Sequence, residues 1–317
     1  MAAVAMCVAA ATGCDRPAAT SAPVRTLTIA VGPEGTVPYK LGNALAAAYQ
    51  STIPALQVHT ALAGGVDESF EALKRSVADL GFVDGEGAYV GYRQEKLDRS
   101  PTVRVRAMAV LFPTAVHIFV KRGMNLRSVT QLRGRTVVVG ARGGYADRAM
   151  QLVVDSYELG PHAVQPVFAV GHAGLDAIQE GSADAIVFYT PFRSKSIMDV
   201  VGSTDLELVS LSREKIAQMQ AASERNHFLK TITIPAGTYA GQTRDVLAMG
   251  DEILLLCRAD LDESLVYALT KTLFDSIPSL VAAHPAAAGI NVERGPTTSV
   301  PLHPGAARYY RERELPR

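Results

Sequence analysis

The segment Gly140-Ala141-Arg142-Gly143-Gly144-Tyr145 combines residue types that suit the binding of an anion. It follows an apolar run, so a strand is predicted to pass through a glycine-rich turn into a helix and to leave backbone N–H groups free. Such a helix start attracts anions, and Arg142 could add a bidentate contact to a carboxylate. The alternative is a tight turn with a solvated arginine, and the residues favour neither interpretation.

Carboxylates stand at matching positions in the first part of the chain. Glu34 follows the first predicted strand, Asp67 opens the second predicted helix, and Asp84 and Glu86 follow the third strand. Carboxylates facing Arg142 suit a ligand with an anionic and a cationic end. For Asp67 we favour the simpler interpretation of a residue that caps its helix and complements the helix dipole.

Aromatic residues complete the candidate site. Tyr39, Tyr89, Tyr145 and Tyr189 could line a cleft with apolar faces and hydroxyl donors, although at least two are expected to be ordinary packing. The predicted ligand-binding residues are Glu34, Gly35, Thr36, Tyr39, Gly64, Gly65, Val66, Asp84, Glu86, Arg142, Gly143, Gly144, Tyr145, Tyr189 and Thr190.

The sequence lacks the motifs of common enzyme classes. It contains no His-Glu-x-x-His helix, no Gly-x-Ser-x-Gly elbow and no phosphate loop ending in Gly-Lys-Ser or Gly-Lys-Thr. No histidine has a Cys or His partner at ligand spacing, and Cys257 is expected to be a small core residue. The prediction is a binding protein with no catalytic residue, no metal and no cofactor.

Composition excludes several classes of protein. The 317 residues carry 31 Lys plus Arg against 31 Asp plus Glu, which excludes a nucleic-acid binder driven by bulk charge. An apolar share of 48% excludes a mainly disordered chain. The longest apolar run, Ala2 to Ala11, is far shorter than the roughly 20 residues that cross a bilayer.

Residues 1–24 are predicted to be a secretory leader and linker. The ending Ala11-Thr12-Gly13-Cys14 resembles a lipoprotein processing box, which would leave Cys14 as a lipid-modified N-terminus. An ordinary signal or a frayed helix is the alternative. The prediction is a periplasmic or cell-envelope protein, attached to the membrane only by this lipid anchor. Cys257 would then be the only free thiol, so no internal disulfide could form.

Two series of strands and helices place the candidate residues, because the same order of signals occurs twice. In the first series, helices begin after Thr36 and at Val66, and the strands are at 26–31, 57–62 and 78–83. In the second series, helices begin at Tyr145 and Gly171, and the strands are at 135–140, 164–170 and 183–188. Such alternation predicts parallel sheets with right-handed crossovers. Ligands bind at the carboxyl ends of these strands, where the glycine-containing loops lie.

Two further β segments are predicted to join the lobes as a hinge. They are the passage from Val103 to Arg122, interrupted at Pro113, and the strand from Glu252 to Cys257. A helix opened by Asp260 and Glu263 is predicted to return the chain to the first lobe. The predicted division is 25–115 plus 259–317 for lobe 1 and 116–258 for lobe 2. Two independent domains joined once are the alternative.

Two long stretches resemble one family. Ile234-Pro235-Ala236-Gly237-Thr238-Tyr239-Ala240-Gly241-Gln242 and the ending Pro301 to Glu312 are similar to the TAXI family, the TRAP-transporter-associated extracytoplasmic solute receptors. The resemblance runs from Leu27 to Glu312. It implies a two-lobed α/β type II periplasmic-binding-protein fold, capture of a small carboxylate such as glutamate or a dicarboxylate, and delivery to a fused TRAP membrane permease. A substrate-binding protein of an ABC importer, an enzyme and a sensor on the same scaffold remain alternatives.

Three departures from the family pattern bear on the ligand. Gly143-Gly144-Tyr145 stands where members that bind glutamate or similar acids usually show Ser-Gly-Thr, and Pro38 precedes a single aromatic residue, Tyr39. Asp84-Gly85-Glu86 replaces the more usual Gln-Ser-Asp. These differences leave the receptor class intact and put the ligand assignment in doubt. His303, in the family-like ending, is expected to pack on the outside of the first lobe.

Overall fold

The computed structural model describes residues 24–97 and 104–314. The predicted leader, including Cys14, lies outside the described residues except for Val24. Among the described residues, no helix combines the length and the apolar character that crossing a bilayer requires.

The described residues form ten strands and ten α-helices in a mixed order. The strands are β1 (Arg25–Val31), β2 (Leu56–Leu62), β3 (Leu80–Asp84), β4 (Val105–Lys121), β5 (Thr136–Val138), β6 (Gln165–Val167), β7 (Ala185–Pro191), β8 (Leu206–Leu208), β9 (Lys230–Ile234) and β10 (Val246–Arg258). The helices are α1 (Val37–Thr52), α2 (Val66–Lys74), α3 (Gly85–Leu97), α4 (Tyr145–Ser156), α5 (His172–Glu180), α6 (Lys195–Ser203), α7 (Arg213–Ala221), α8 (Glu263–Asp275), α9 (Ile277–Ala283) and α10 (Pro304–Glu314).

The strands form one mixed sheet in the order β2-β1-β3-β10-β4-β7-β5-β6, with β8 beside β4 and β9 beside β10. β1 is parallel to β2 and β3, and β5 is parallel to β6 and β7, which confirms the two predicted parallel series. β4 and β10 pair antiparallel. β4 continues through Pro113, so the predicted interruption there is wrong. Pro113 pairs with Glu252, close to a register shift between Ile253 and Leu254, and proline inside a strand is tolerated near such irregularities.

The apolar core divides along β4 and β10. The first core contains β1, β3, α1, α8 and α10, and the second core contains β5, β7, α4 and part of α6. Along β4 the change falls between Phe112 and Ala115, and along β10 it falls between Met249 and Ile253. The predicted division assigned all of β10 to lobe 2, but Ile253 to Cys257 packs in the first core because this long strand runs through both.

The C-terminal segment packs in the first core, where α10 lies directly against α8. A Cβ on Gly305 would lie 2.2 Å from the Glu263 carbonyl oxygen, so only glycine permits this contact. Asp262 caps α8 by accepting from the Leu265 N–H, whereas the predicted Asp260 pairs with Arg258. His303 is 2% exposed, and its ring accepts from the Gly305 N–H, so it is held within the packed C-terminal segment.

Candidate functional site

A cavity of about 670 Å³ lies at the carboxyl ends of β1, β2, β3 and β7. Residues of both cores form its wall. Ten of the predicted ligand-binding residues line it: Glu34, Gly35, Thr36, Gly64, Gly65, Val66, Asp84, Tyr145, Tyr189 and Thr190. The position agrees with the general rule that ligands of such sheets bind beyond the carboxyl ends of the strands.

Five helices begin at this cavity, namely α1, α2, α4, α5 and α6. Thr36 caps α1, because its hydroxyl accepts from the Tyr39 N–H at 3.3 Å and donates to the Pro33 carbonyl at 2.7 Å. The turn before it needs glycine, since Gly35 has φ +82°. The first turns of α5 and α6 contain no acidic residue and no side chain caps them, so their positive ends are available to an anionic group. In α2, Glu68 occupies that end by accepting from the Gly64 N–H.

The structure places the other five predicted residues away from the cavity wall. Arg142 is exposed, and its guanidinium lies over the ring of Phe168, 3.9 Å from the ring centroid. The N–H groups predicted to be free are used locally, because Gly143 donates to the Asp147 carboxylate at 2.8 Å and Gly144 donates to the Ala141 carbonyl. The predicted anion site at this turn is therefore not positioned to meet a ligand in the cavity.

Tyr39 and Glu86 also lie elsewhere. Tyr39 is in the first turn of α1 and packs against the first core. Glu86 borders a neighbouring cavity of about 440 Å³, together with Asp67 and Arg148. Its backbone N–H donates to the Asp251 carboxylate at 2.9 Å.

Two buried carboxyl groups lie close together, one of them on the wall of the main cavity and the other behind it. Asp84, at the end of β3, is 3% exposed and accepts from the Gly87 N–H at 2.8 Å. Asp251, on β10, is 2% exposed and accepts from the Glu86 and Glu252 N–H groups. The β3–β10 register brings them together, because Ile253 pairs with Asp84.

Glycine at position 85 makes this arrangement possible. A Cβ on Gly85 would lie 2.3 Å from Oδ1 of Asp251, so the carboxyl group of Asp251 packs directly on the backbone there. This contact gives a physical reason for the unusual Asp84-Gly85-Glu86 sequence.

Burial changes the acidity of both groups. Burial, reinforced by the charge of Asp84, raises the pKa of Asp251 to about 8. Burial also raises the pKa of Asp84, while its hydrogen bonds to the Gly87 N–H and the Tyr145 hydroxyl lower it. None of the ion pairs formed within the described part of the chain includes either carboxyl group.

Aromatic side chains form a second side of the cavity. The rings of Tyr145 and Tyr189 stack with centroids 5.7 Å apart and planes at 10°. Burial raises the pKa of both hydroxyls well above the ordinary range, so both remain proton donors at neutral pH. The stack brings together α4 and β7 of the second core and presents an apolar face beside the carboxyl group of Asp84.

Several cavity residues were missed from the sequence. They are Ser69 in α2, His172 at the start of α5, and Ser194, Lys195 and Ser196 at the start of α6. The starts of α5 and α6 follow β6 and β7, so the carboxyl-end rule could have pointed to them. Lys195 pairs with Asp199 at 2.5 Å. Among the residues the structure describes, no group of three or more His, Cys, Asp or Glu could hold a metal ion.

Comparison with solved structures defines the class of fold. PhnD1 from Prochlorococcus marinus (MIT 9301), solved with methylphosphonate, is 12% identical and superposes with a TM-score of 0.53, covering 91% of this chain and 96% of its own. The probable amino-acid ABC transporter extracellular-binding protein ytmK from Bacillus subtilis is 12% identical, with a TM-score of 0.52, covering 84% and 98%. The predicted α/β periplasmic-binding-protein fold is confirmed.

The family follows from the sequence match. The model of the NMT1-like family matches residues 29–313, so the chain belongs to the NMT1-like family. This assignment stands in place of the predicted TAXI family, which the comparisons do not show.

Proposed function

We propose that this protein is an extracytoplasmic solute-binding protein that closes two lobes over a small solute and delivers it to a membrane importer. The observation that carries the proposal is the cavity at the carboxyl ends of β1, β2, β3 and β7, walled by residues of both cores. β4 and β10 pass through both cores, which suits a hinge between the proposed lobes. This role requires no catalytic step.

The partner we favour is an ABC-type importer. One solved neighbour of the same fold, ytmK, is described as a probable ABC transporter binding protein and aligns over 98% of its length. A TRAP permease is the second candidate, because Ile234–Gln242 and Pro301–Glu312 resemble TAXI receptors. A neighbouring gene for an ATP-binding subunit would support the ABC-type importer. A neighbouring gene for a fused TRAP permease would support the TRAP permease. The proposed location is the periplasm, and lipidation at Cys14 stays a prediction.

The cavity wall supports a solute with an acidic group. The starts of α5 and α6 carry no acidic residue and lie at the cavity with the hydroxyls of Ser194 and Ser196. Carboxylates, sulfonates and phosphonates all present oxygens that accept from such helix starts. The small carboxylate predicted from the sequence belongs to this class of solute.

The test is a ligand screen on refolded, ligand-stripped protein. Amino acids, dicarboxylates, alkanesulfonates and phosphonates are added, and thermal unfolding is recorded. A solute at a hundredfold excess over its dissociation constant should add about 2.7 kcal/mol to the stability. X-ray scattering should then show a smaller radius of gyration for the complex.

A matched pair of variants tests whether the stabilisation by a solute comes from binding in the cavity. Gly65→Phe should abolish the stabilisation, because a side chain there enters open space beside the cavity wall. Gly123→Phe adds the same ring at an exposed position with nothing within 4 Å, so it should bind as the wild type does. If neither the panel nor a cell extract stabilises the wild-type protein, the proposed receptor function is wrong.

A further inference from the structure

Ser69 is a buried hydroxyl on the cavity wall. The residue lies in α2, is 0% exposed and lines the main cavity. Its Oγ has no hydrogen-bond partner among the described residues. Buried hydroxyls are nearly always hydrogen-bonded, so an unpartnered one at a cavity calls for a partner supplied from the cavity.

The Asp84 carboxyl group lines the same cavity and is also incompletely compensated. Its donors are the Gly87 N–H at 2.8 Å and the Tyr145 hydroxyl, and both are neutral, while Arg148 acts on it through its charge but forms no ion pair with it. Lys195, which lines the same cavity, pairs with Asp199 at 2.5 Å. A buried carboxylate is stabilised most effectively by a cation at hydrogen-bond distance.

Asp251 supplies no positive charge to compensate Asp84. It lies behind Asp84, and its carboxyl oxygens accept from the backbone N–H groups of Glu86 and Glu252. Of the other ionisable side chains on the wall, Glu34 is acidic, Lys195 pairs with Asp199, and His172 lies at the start of α5. This end of the cavity therefore attracts a cation, while the starts of α5 and α6 attract an anion.

We propose that Asp84 and Ser69 form a subsite for the protonated primary amine of the solute. An ammonium group donates three hydrogen bonds, and the Asp84 carboxylate and the Ser69 hydroxyl supply acceptors for it. With the acidic group of the solute at the helix starts, the selected class is amino acids and related amino-bearing acids. The inference rests on the proposed receptor function and narrows it to one ligand class.

The experiment measures affinity for matched pairs of probes. Calorimetry on ligand-stripped protein compares each common L-amino acid with the acid that lacks its amine, for example L-glutamate with glutarate and L-leucine with 4-methylpentanoate. At least one amino acid should bind ten or more times tighter than its deaminated partner.

Two variants then test whether Asp84 and Ser69 cause the preference for the amino acid over its deaminated partner. Asp84→Asn should weaken binding of that amino acid by about tenfold or more, since the amide lacks the charge that pairs with the ammonium. Ser69→Ala should weaken it several-fold and leave the unfolding temperature unchanged or higher, because the hydroxyl bonds to no described residue. Asp67→Asn is the control, since it removes an equal charge nearby and leaves both subsite residues in place.

The results distinguish failure of the subsite from failure of the receptor function. Equal affinity for amino acid and deaminated acid, or wild-type affinity in both Asp84→Asn and Ser69→Ala, would overturn the subsite and leave the receptor function standing. Failure of every solute to bind the wild-type protein would overturn the receptor function and the subsite with it. Loss of binding in Ser69→Ala without loss of stability is the result that a purely structural role would not produce.

Discussion

Asp251→Asn should flatten the dependence of stability on pH between about pH 4 and about pH 8. The Asp251 carboxyl group is 2% exposed, and burial with the neighbouring charge of Asp84 raises its pKa from 3.8 to about 8. The other ionisable groups facing it are Glu252 on β10, Glu86 on α3 and Tyr189 on β7. None of these is a cation, so folding favours the protonated acid.

The direction and size of the effect follow from proton linkage. Within this pH range the folded protein keeps the proton on Asp251, while the unfolded chain has lost it. Stability therefore falls as pH rises, by at most about 1.4 kcal/mol per pH unit, and the fall ends near the folded pKa of about 8. From about pH 5 to about pH 7 the wild-type protein should lose about 2 to 3 kcal/mol more than the variant. Asp84 titrates with Asp251 as a pair, so the variant also relieves the repulsion between them.

The assay is urea unfolding of ligand-free protein, followed by circular dichroism at about pH 5, 6 and 7 and constant ionic strength. The free energy of unfolding comes from linear extrapolation, and equal slopes against urea show that compactness is unchanged. Asp176→Asn is the control, because it removes the same charge from an exposed position. Parallel curves for wild type and Asp251→Asn would refute a protonated acid at position 251.

Two further substitutions test the packing of the two cores. Gly305→Ala should destabilise the protein by about 1 to 3 kcal/mol in urea unfolding, because the new Cβ meets the Glu263 carbonyl oxygen at 2.2 Å in the contact between α8 and α10. Gly202→Ala in α6, with nothing within 4 Å, should be neutral or stabilising, and equal effects of the two would contradict the close approach. Tyr239→Phe should cost about 1 to 3 kcal/mol, because it removes the hydroxyl 2.9 Å from Nε2 of the fully buried His117. Tyr267→Phe is the control, because it removes an exposed hydroxyl. If it lowers the free energy of unfolding as much as Tyr239→Phe does, burial of the hydroxyl is not the cause of the destabilisation.

Much of the fold was predictable because its signals are local. Alternating apolar residues such as Leu27, Ile29 and Val31 mark a strand, and the turn at Gly32–Thr36 marks the start of α1. The repetition of this order indicated two parallel series, and the carboxyl-end rule then pointed to loops whose residues line the cavity. Glu34, Thr36, Gly65 and Tyr145 were located in this way.

The orientation of individual groups depended on tertiary contacts. Arg142 lies over Phe168, and Asp147 takes the N–H of Gly143, so the most suggestive turn in the sequence does not line the cavity. No local pattern predicts these contacts, because a loop residue points toward whichever partner the folded chain brings near it.

By itself, the sequence determined the two parallel series of strands and helices, the glycine turns and the carboxylates at the strand ends. Only the tertiary structure decided that Asp251 lies behind Asp84 and that Ser69 lines the cavity which Asp84 also lines. Asp251 contacts Glu86 across 165 positions of the chain. That contact depends on the register of β3 with β10, which is set by antiparallel pairing and side-chain packing across the whole sheet.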